Sequence, residues 1–149
     1  SRPVPVPPEL AEALGIEPRA VGRNRFDFLV ELATEAEVRS VRPDYSRLAA
    51  MDVRGTIITA PSGDPRFDFV SRFFAPAVGV PEDPVCGSAH CCLAPYWCAR
   101  WNKSDLIGHQ VSQRGGVVRV GLRGGRVRLA GQAVTVLKGR LEQSGGMDS

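Results

Sequence analysis

The densest concentration of groups able to do chemistry in this 149-residue chain is the stretch Pro81-Glu82-Asp83-Pro84-Val85-Cys86-Gly87-Ser88-Ala89-His90. Two prolines keep the approach extended, two acids lie between them, and Gly87-Ser88 opens an apolar run to Trp101 with the composition of a buried helix. A helix start leaves backbone N–H groups without intrahelical acceptors and carries the positive end of the helix dipole. Gly87 and Ser88 are therefore candidates to hold a carboxylate, the Ser88 hydroxyl adding a donor, with Asp83 within reach of whatever is held. His90 closes the stretch as a further candidate contact. Arg72, on an upstream strand, is a candidate partner for a substrate's negative charge. The plainer alternatives are that Ser88 only caps its own helix, that Asp83 faces water and that Arg72 is a sheet-surface arginine.

All four cysteines, Cys86, Cys91, Cys92 and Cys98, fall in the same region, too close on one helix to form a disulfide framework. Reduced thiols are expected, with Cys91, Cys92 and Cys98 in the core. Cys86 and His90, four apart, share a helix face, but the two-plus-two ligand spacing of zinc sites is missing. No metal and no cofactor are expected.

The elements that must position this stretch can be read in chain order. Residues 1–8 are proline-rich and read as an extended lead-in, and Glu9 to Leu14 reads as a short helix stopped by Gly15. Arg25 to Leu32 reads as a strand with Phe26, Phe28, Val30 and Leu32 on one face. Thr34 caps a helix from Glu35 to Val41, and Tyr45 to Met51 makes another helical turn. Gly55 to Ala60 and Phe67 to Phe74 read as strands, the latter with Phe67, Phe69 and Phe73 opposite Asp68 and Arg72. Pro95 predicts a kink or break near Ala94 in the apolar helix. Asn102 to Gly108 reads as a loop. A three-stranded meander follows: it begins at His109 to Gln113, continues with Val118, Val120 and Leu122, turns at Gly124-Gly125, and runs back through Val127 and Leu129 to Val134 and Val136.

The expectation is thus an α+β fold, a mixed or antiparallel sheet curled around one central apolar helix. Residues 9–141 would form a single lobe and 142–149, rich in Gly and Ser, a disordered tail. No uninterrupted apolar run is long enough for a bilayer and residues at the N-terminus lack a signal-like pattern, so the expected location is cytoplasmic and no membrane partner is foreseen. The net charge of +3 comes almost wholly from scattered arginines. Where they alternate with valine and glycine between Arg114 and Arg128 they read as a solvated strand face, and nucleic acid is not an expected partner on this pattern.

The string EDPVCGSAH, preceded by FDFVSRFFAPAVGVP and followed by LAPYW, resembles the signature of the PhzF-like family of phenazine biosynthesis, cofactor-free isomerases with the diaminopimelate epimerase fold. VSQRGGVVRVGLRGGRVRLAGQAVTVLKG is similar to that family's closing strands. The match runs from about Arg54 to Leu141 and more loosely back to the start. The resemblance implies two lobes related by approximate twofold symmetry with the active site in the cleft between them, and it covers the second lobe. The first lobe's Gly-Asn-Pro motif and proton-shuttling glutamate have no counterpart here.

By the same resemblance, Asp83, Gly87 and Ser88 match residues that bind and orient the substrate, a small carboxylated metabolite, while the shuttling glutamate comes from outside. Most of the family has threonine where this chain has Cys86; the related diaminopimelate epimerases and proline racemases carry a catalytic cysteine there, where the helix dipole favours the thiolate. Three functions stand open: the second lobe of a proton-transferring isomerase, a thiol-dependent epimerase or racemase using Cys86, and a non-catalytic binding module. The isomerase lobe is the favoured one. Its partner would be the missing first lobe or, as a homodimer, a second copy.

Overall fold

The structure, a computed structural model, describes residues 1–140. Eight strands form one mixed sheet in the order of the chain: β1 (Arg2–Val4), β2 (Ala20–Arg23), β3 (Asp27–Glu31), β4 (Gly55–Pro61), β5 (Phe69–Phe74), β6 (Asp105–Gln110), β7 (Gly116–Arg123) and β8 (Arg126–Ala130). Between them lie α1 (Pro8–Leu14), α2 (Glu35–Ser40), α3 (Tyr45–Ala49) and α4 (Gly87–Trp101).

Two neighbouring pairs, β3 with β4 and β5 with β6, are parallel, and the remaining neighbours are antiparallel. A parallel pair needs a crossover, and crossovers are almost always right-handed. The β3 and β4 strands run opposite to β5 and β6, so the same handedness sends the two crossovers to opposite faces of the sheet. The first, α2 and α3, covers one face together with α1. The second, α4, lies on the other.

The core is accordingly split by the sheet. One cluster joins Leu10 and Leu14 of α1, Val38 of α2 and Leu48 of α3 to Phe28, Val30, Ile58, Val70 and Phe74. The other joins Ala89, Leu93, Ala94 and Trp97 of α4 to Leu29, Ile57, Phe69, Phe73, Leu106, Val118 and Val120. With both faces covered, β3, β4 and β5 are buried almost throughout. The sheet curls around α4, which meets β3 through Tyr96–Glu31 on one side and packs on β6, β7 and β8 on the other. This is the expected α+β arrangement, with the addition of a second helical layer that the sequence pattern did not disclose.

Local chemistry sets the element ends. Gly15 stops α1 in the left-handed region at φ 65°. Thr34 accepts from the Glu37 N–H to cap α2, and Asp44 accepts from Ser46 and Arg47 to cap α3. Gly124 and Gly125, both at positive φ, form the two-residue turn between β7 and β8.

Several expectations are corrected. The lead-in 1–8 is not merely extended: β1 pairs with β2, a short strand missed because Ala20–Arg23 carries no alternation. Phe26 lies before β3 and is half exposed, in a turn where Asn24 Oδ1 accepts from the N–H groups of Phe26 and Asp27. The segment read as a loop to Gly108 becomes strand β6 from Asp105. Helix α4 runs through Pro95 without a break, because Pro95 and Cys91, the carbonyl that loses its donor, sit on the exposed face of the helix. Cys91 is therefore exposed rather than core. Residues 131–140 contain no strand, so Val134 and Val136 do not extend the meander. The expected tail, 142–149, lies outside the described residues.

Candidate functional site

Helix α4 begins on the face of the sheet opposite α1–α3, and its approach is clamped by one side chain. Gln110, fully buried on β6, accepts the Cys86 N–H at 2.9 Å through Oε1 and donates to the Asp83 carbonyl at 2.5 Å through Nε2. The Asp83 N–H reaches the Phe73 carbonyl at 2.9 Å, and Asp83 Oδ1 accepts from the Val85 N–H at 2.9 Å. The 83–86 loop is thus fixed by backbone and Gln110. Asp83 Oδ2 has no hydrogen-bond partner among the described residues. Gln110 went unnoticed in the sequence because a lone glutamine ending a strand carries no pattern.

Cys86 occupies the N-cap position without capping: no side chain accepts from the first turn of α4. The N–H groups of Gly87, Ser88 and Ala89 find no acceptor among the described residues, and Gly87 and Ser88 are exposed. Ser88, the expected alternative cap, is engaged elsewhere. Its Oγ accepts from Arg54 Nη2 at 3.1 Å and lies 3.2 Å from Cys86 Sγ. The helix therefore presents an uncapped, outward-facing positive end.

Arg54 is a second residue, after Gln110, that sequence reasoning missed. It sits just before β4, and because β3 and β4 are parallel with Asp27 opposite Gly55, its side chain folds back onto Asp27. Nε and Nη2 donate to the two Asp27 oxygens at 3.0 and 2.6 Å. Asp27 is only 1 % exposed. This bidentate bond holds the Arg54 pKa above its ordinary value. The guanidinium lies over the rings of Phe26 and Phe73, each 5.5 Å from its centroid. The clue available in the sequence was Asp27 and Glu31 at period two on β3, the side that turns towards α4.

Two other candidates are placed away from this mouth. His90 is fully buried, its Nδ1 donating to the Cys86 carbonyl at 2.8 Å and its ring 5.9 Å from that of Phe69; Nε2 has no partner. Burial pushes its pKa below the ordinary value. Arg72 projects to the opposite face of the sheet, where it binds Glu82 bidentately at 2.7 and 3.0 Å and donates to the Val38 and Val41 carbonyls. There it ties the end of α2 to the loop ahead of α4.

Cys86 is 7 % exposed, and burial pushes the Cys92 and Cys98 thiols up. Beside the α4 mouth a groove of about 820 Å³ runs between Val85, Gly87, Val117 and Leu129. Gly116 has no room for a side chain against Val85. No group of three or more His, Cys, Asp or Glu side chains placed to hold a metal ion is present among the described residues, and no helix there is long and apolar enough to cross a membrane.

A mixed sheet wrapped around an apolar helix whose bare N-terminus opens outward defines a diaminopimelate epimerase-like fold. The model of the family described as phenazine biosynthesis-like protein (PhzC-PhzF) matches residues 10–139, and the chain belongs to that family. An uncharacterized isomerase of Halalkalibacterium halodurans is 51% identical over 135 residues, 91% of this chain and 51% of the relative. One of Pseudomonas aeruginosa is likewise 51% identical over 136 residues, with the same coverage of each. The crystal structure of a phenazine biosynthesis protein of the PhzF family from Enterococcus faecalis superposes with a TM-score of 0.78 at 38% identity, over 90% of this chain and 54% of that one. The chain thus spans about half the length of the relatives it matches.

Proposed function

We propose that this chain is the substrate-orienting lobe of a PhzF-like isomerase that moves a proton along a small carboxylated metabolite without metal or cofactor. The observation that carries the reading is the bare, exposed start of α4 at the family's signature stretch, with the Arg54 cation beside it. A substrate carboxylate is bound by the Gly87 and Ser88 N–H groups and the Ser88 hydroxyl. The free Oδ2 of Asp83 accepts from a substrate hydroxyl or ammonium group and sets its orientation.

Removing a proton from a carbon conjugated with that carboxylate moves negative charge onto the carboxylate oxygens. The helix end and the Ser88 hydroxyl, held by Arg54, are already aimed at the charge that develops there, so they stabilise the transition state more than the ground state. The proton itself is carried by a carboxyl group from a second lobe, which covers the groove beside Val117 and Leu129. Cys86, nearly buried and set against Ser88 Oγ, supports a packing role in preference to thiol acid–base chemistry.

The test is deuterium exchange from D2O into a panel of small unsaturated carboxylic acids, read by mass spectrometry. It is run with the chain alone and with the separately expressed remaining half of the Halalkalibacterium relative added. Exchange is expected only in the mixture, and it should be lost with Ser88→Ala or Asp83→Asn. Exchange by the chain alone that survives Asp83→Asn and vanishes with Cys86→Ser would replace this account with the thiol mechanism.

A further inference from the structure

We infer that the Asp27–Arg54 pair is a positioning device for Ser88, fixing the direction in which its hydroxyl donates at the mouth of α4; this rests on the reading of Gly87 and Ser88 as the carboxylate contact. The argument is one of hydrogen counting. A guanidinium has five N–H donors and no acceptor, whereas a serine hydroxyl has one donor and two acceptor positions. Arg54 gives the Nε hydrogen and one Nη2 hydrogen to Asp27, and its second Nη2 hydrogen to Ser88 Oγ at 3.1 Å. Ser88 is the acceptor in that bond, so its own proton cannot point at Arg54.

Two directions remain for that proton: the Cys86 sulfur, 3.2 Å away, or outward over the exposed Gly87–Ser88 turn. Thiol sulfur is a weak acceptor and a carboxylate a strong one, so an arriving carboxylate draws the proton outward and gains a third donor beside the two N–H groups. The device is rigid before any ligand arrives. Asp27 is buried at 1 % exposure, both of its oxygens are bound, and Phe26 and Phe73 flank the guanidinium. The entropy of ordering an arginine is therefore not charged against binding. Lysine keeps the charge but lacks the planar fork, and cannot hold both Asp27 oxygens and Ser88 in this geometry.

The test is titration of the 15N-labelled chain with sodium benzoate as the probe, in the wild type, Arg54→Lys, Ser88→Ala and the double variant. The wild type should show saturable shifts of the Gly87 and Ser88 amides. Arg54→Lys and Ser88→Ala should each weaken binding about tenfold, the value of one hydrogen bond to a charged group, and the double variant should be no weaker than Ser88→Ala. Full additivity, or wild-type affinity in Arg54→Lys, overturns the inference while leaving the carboxylate site standing. Absence of shifts at Gly87 and Ser88 in the wild type removes that site and the inference with it. Should Arg54→Lys not fold, the paired amide variant Asp27→Asn/Arg54→Gln takes its place in the same cycle, with the same outcomes.

Discussion

His90 and the cysteines show how burial, rather than position in a motif, decides what a side chain can do. His90 is neutral in the core because burial lowers its pKa below the unfolded value of about 6.5. The unfolded chain therefore takes up the proton first. Stability is complete above about pH 6.5 and falls as pH drops towards the folded value, by up to about 1.4 kcal/mol per pH unit for one fully titrating group. His109, also lowered by burial, adds in the same direction. Urea unfolding from about pH 7.5 down to about pH 5.5 should show this loss, and His90→Gln should flatten it. A slope unchanged by His90→Gln would place the titration elsewhere. Alkylation separates the thiols in the same way. Exposed Cys91 should label first, Cys86 and Cys98 slowly, and a Cys86 that labels fastest would favour the thiol reading set aside above.

Helix α4 carries a proline that peptide energetics disfavours by about 3 kcal/mol, on a face where the freed Cys91 carbonyl can meet water. Pro95→Ala should accordingly stabilise the chain by about 1–3 kcal/mol in urea unfolding, and destabilisation would mean that the proline shapes the helix to the curl of the sheet. On β6, a Cβ added at Gly108 would collide with the Phe69 ring and stand 3.2 Å from His90 Nε2. Gly108→Ala should cost about 1–3 kcal/mol, since neither ring has space to retreat in the core. These elements also show what could be read beforehand. The caps at Gly15 and Thr34, the β4 and β5 strands and the start of α4 at Gly87 follow from local chemistry and were legible. The β2 strand was not, because Ala20–Arg23 carries no alternation, and the start of β6 was not, because it is held in part by β5, far back along the chain. Arg54 was hidden for the same reason: its role arises only when a parallel pairing sets it against Asp27, 27 residues away. Conversely, Arg72 looked available in a pattern that could not show Glu82 and the Val38 and Val41 carbonyls already claiming it.

On the scale of the whole molecule, opposite crossovers seal both faces of the sheet over its middle strands but leave apolar side chains uncovered at the α4 mouth and along its β8 flank. Phe26, Val117 and Leu129 are exposed there, and Val134, Val136 and Leu137 follow, 84–90% exposed. Surfaces of this kind are usually covered by a partner. We expect self-association of the chain, with a second copy standing where a pseudo-symmetric lobe would lie. Light scattering should give a dimer that Leu129→Glu dissociates, and a monomer at micromolar concentration would contradict it. The central claim, that the bare start of α4 is a carboxylate site, is tested most directly by a crystal structure of the chain grown with benzoate. The account predicts a carboxylate within hydrogen-bond distance of the Gly87 and Ser88 nitrogens and of Ser88 Oγ, with Arg54 still bound to Asp27. A structure in which protein groups cap those nitrogens, or in which benzoate binds only elsewhere, would contradict it.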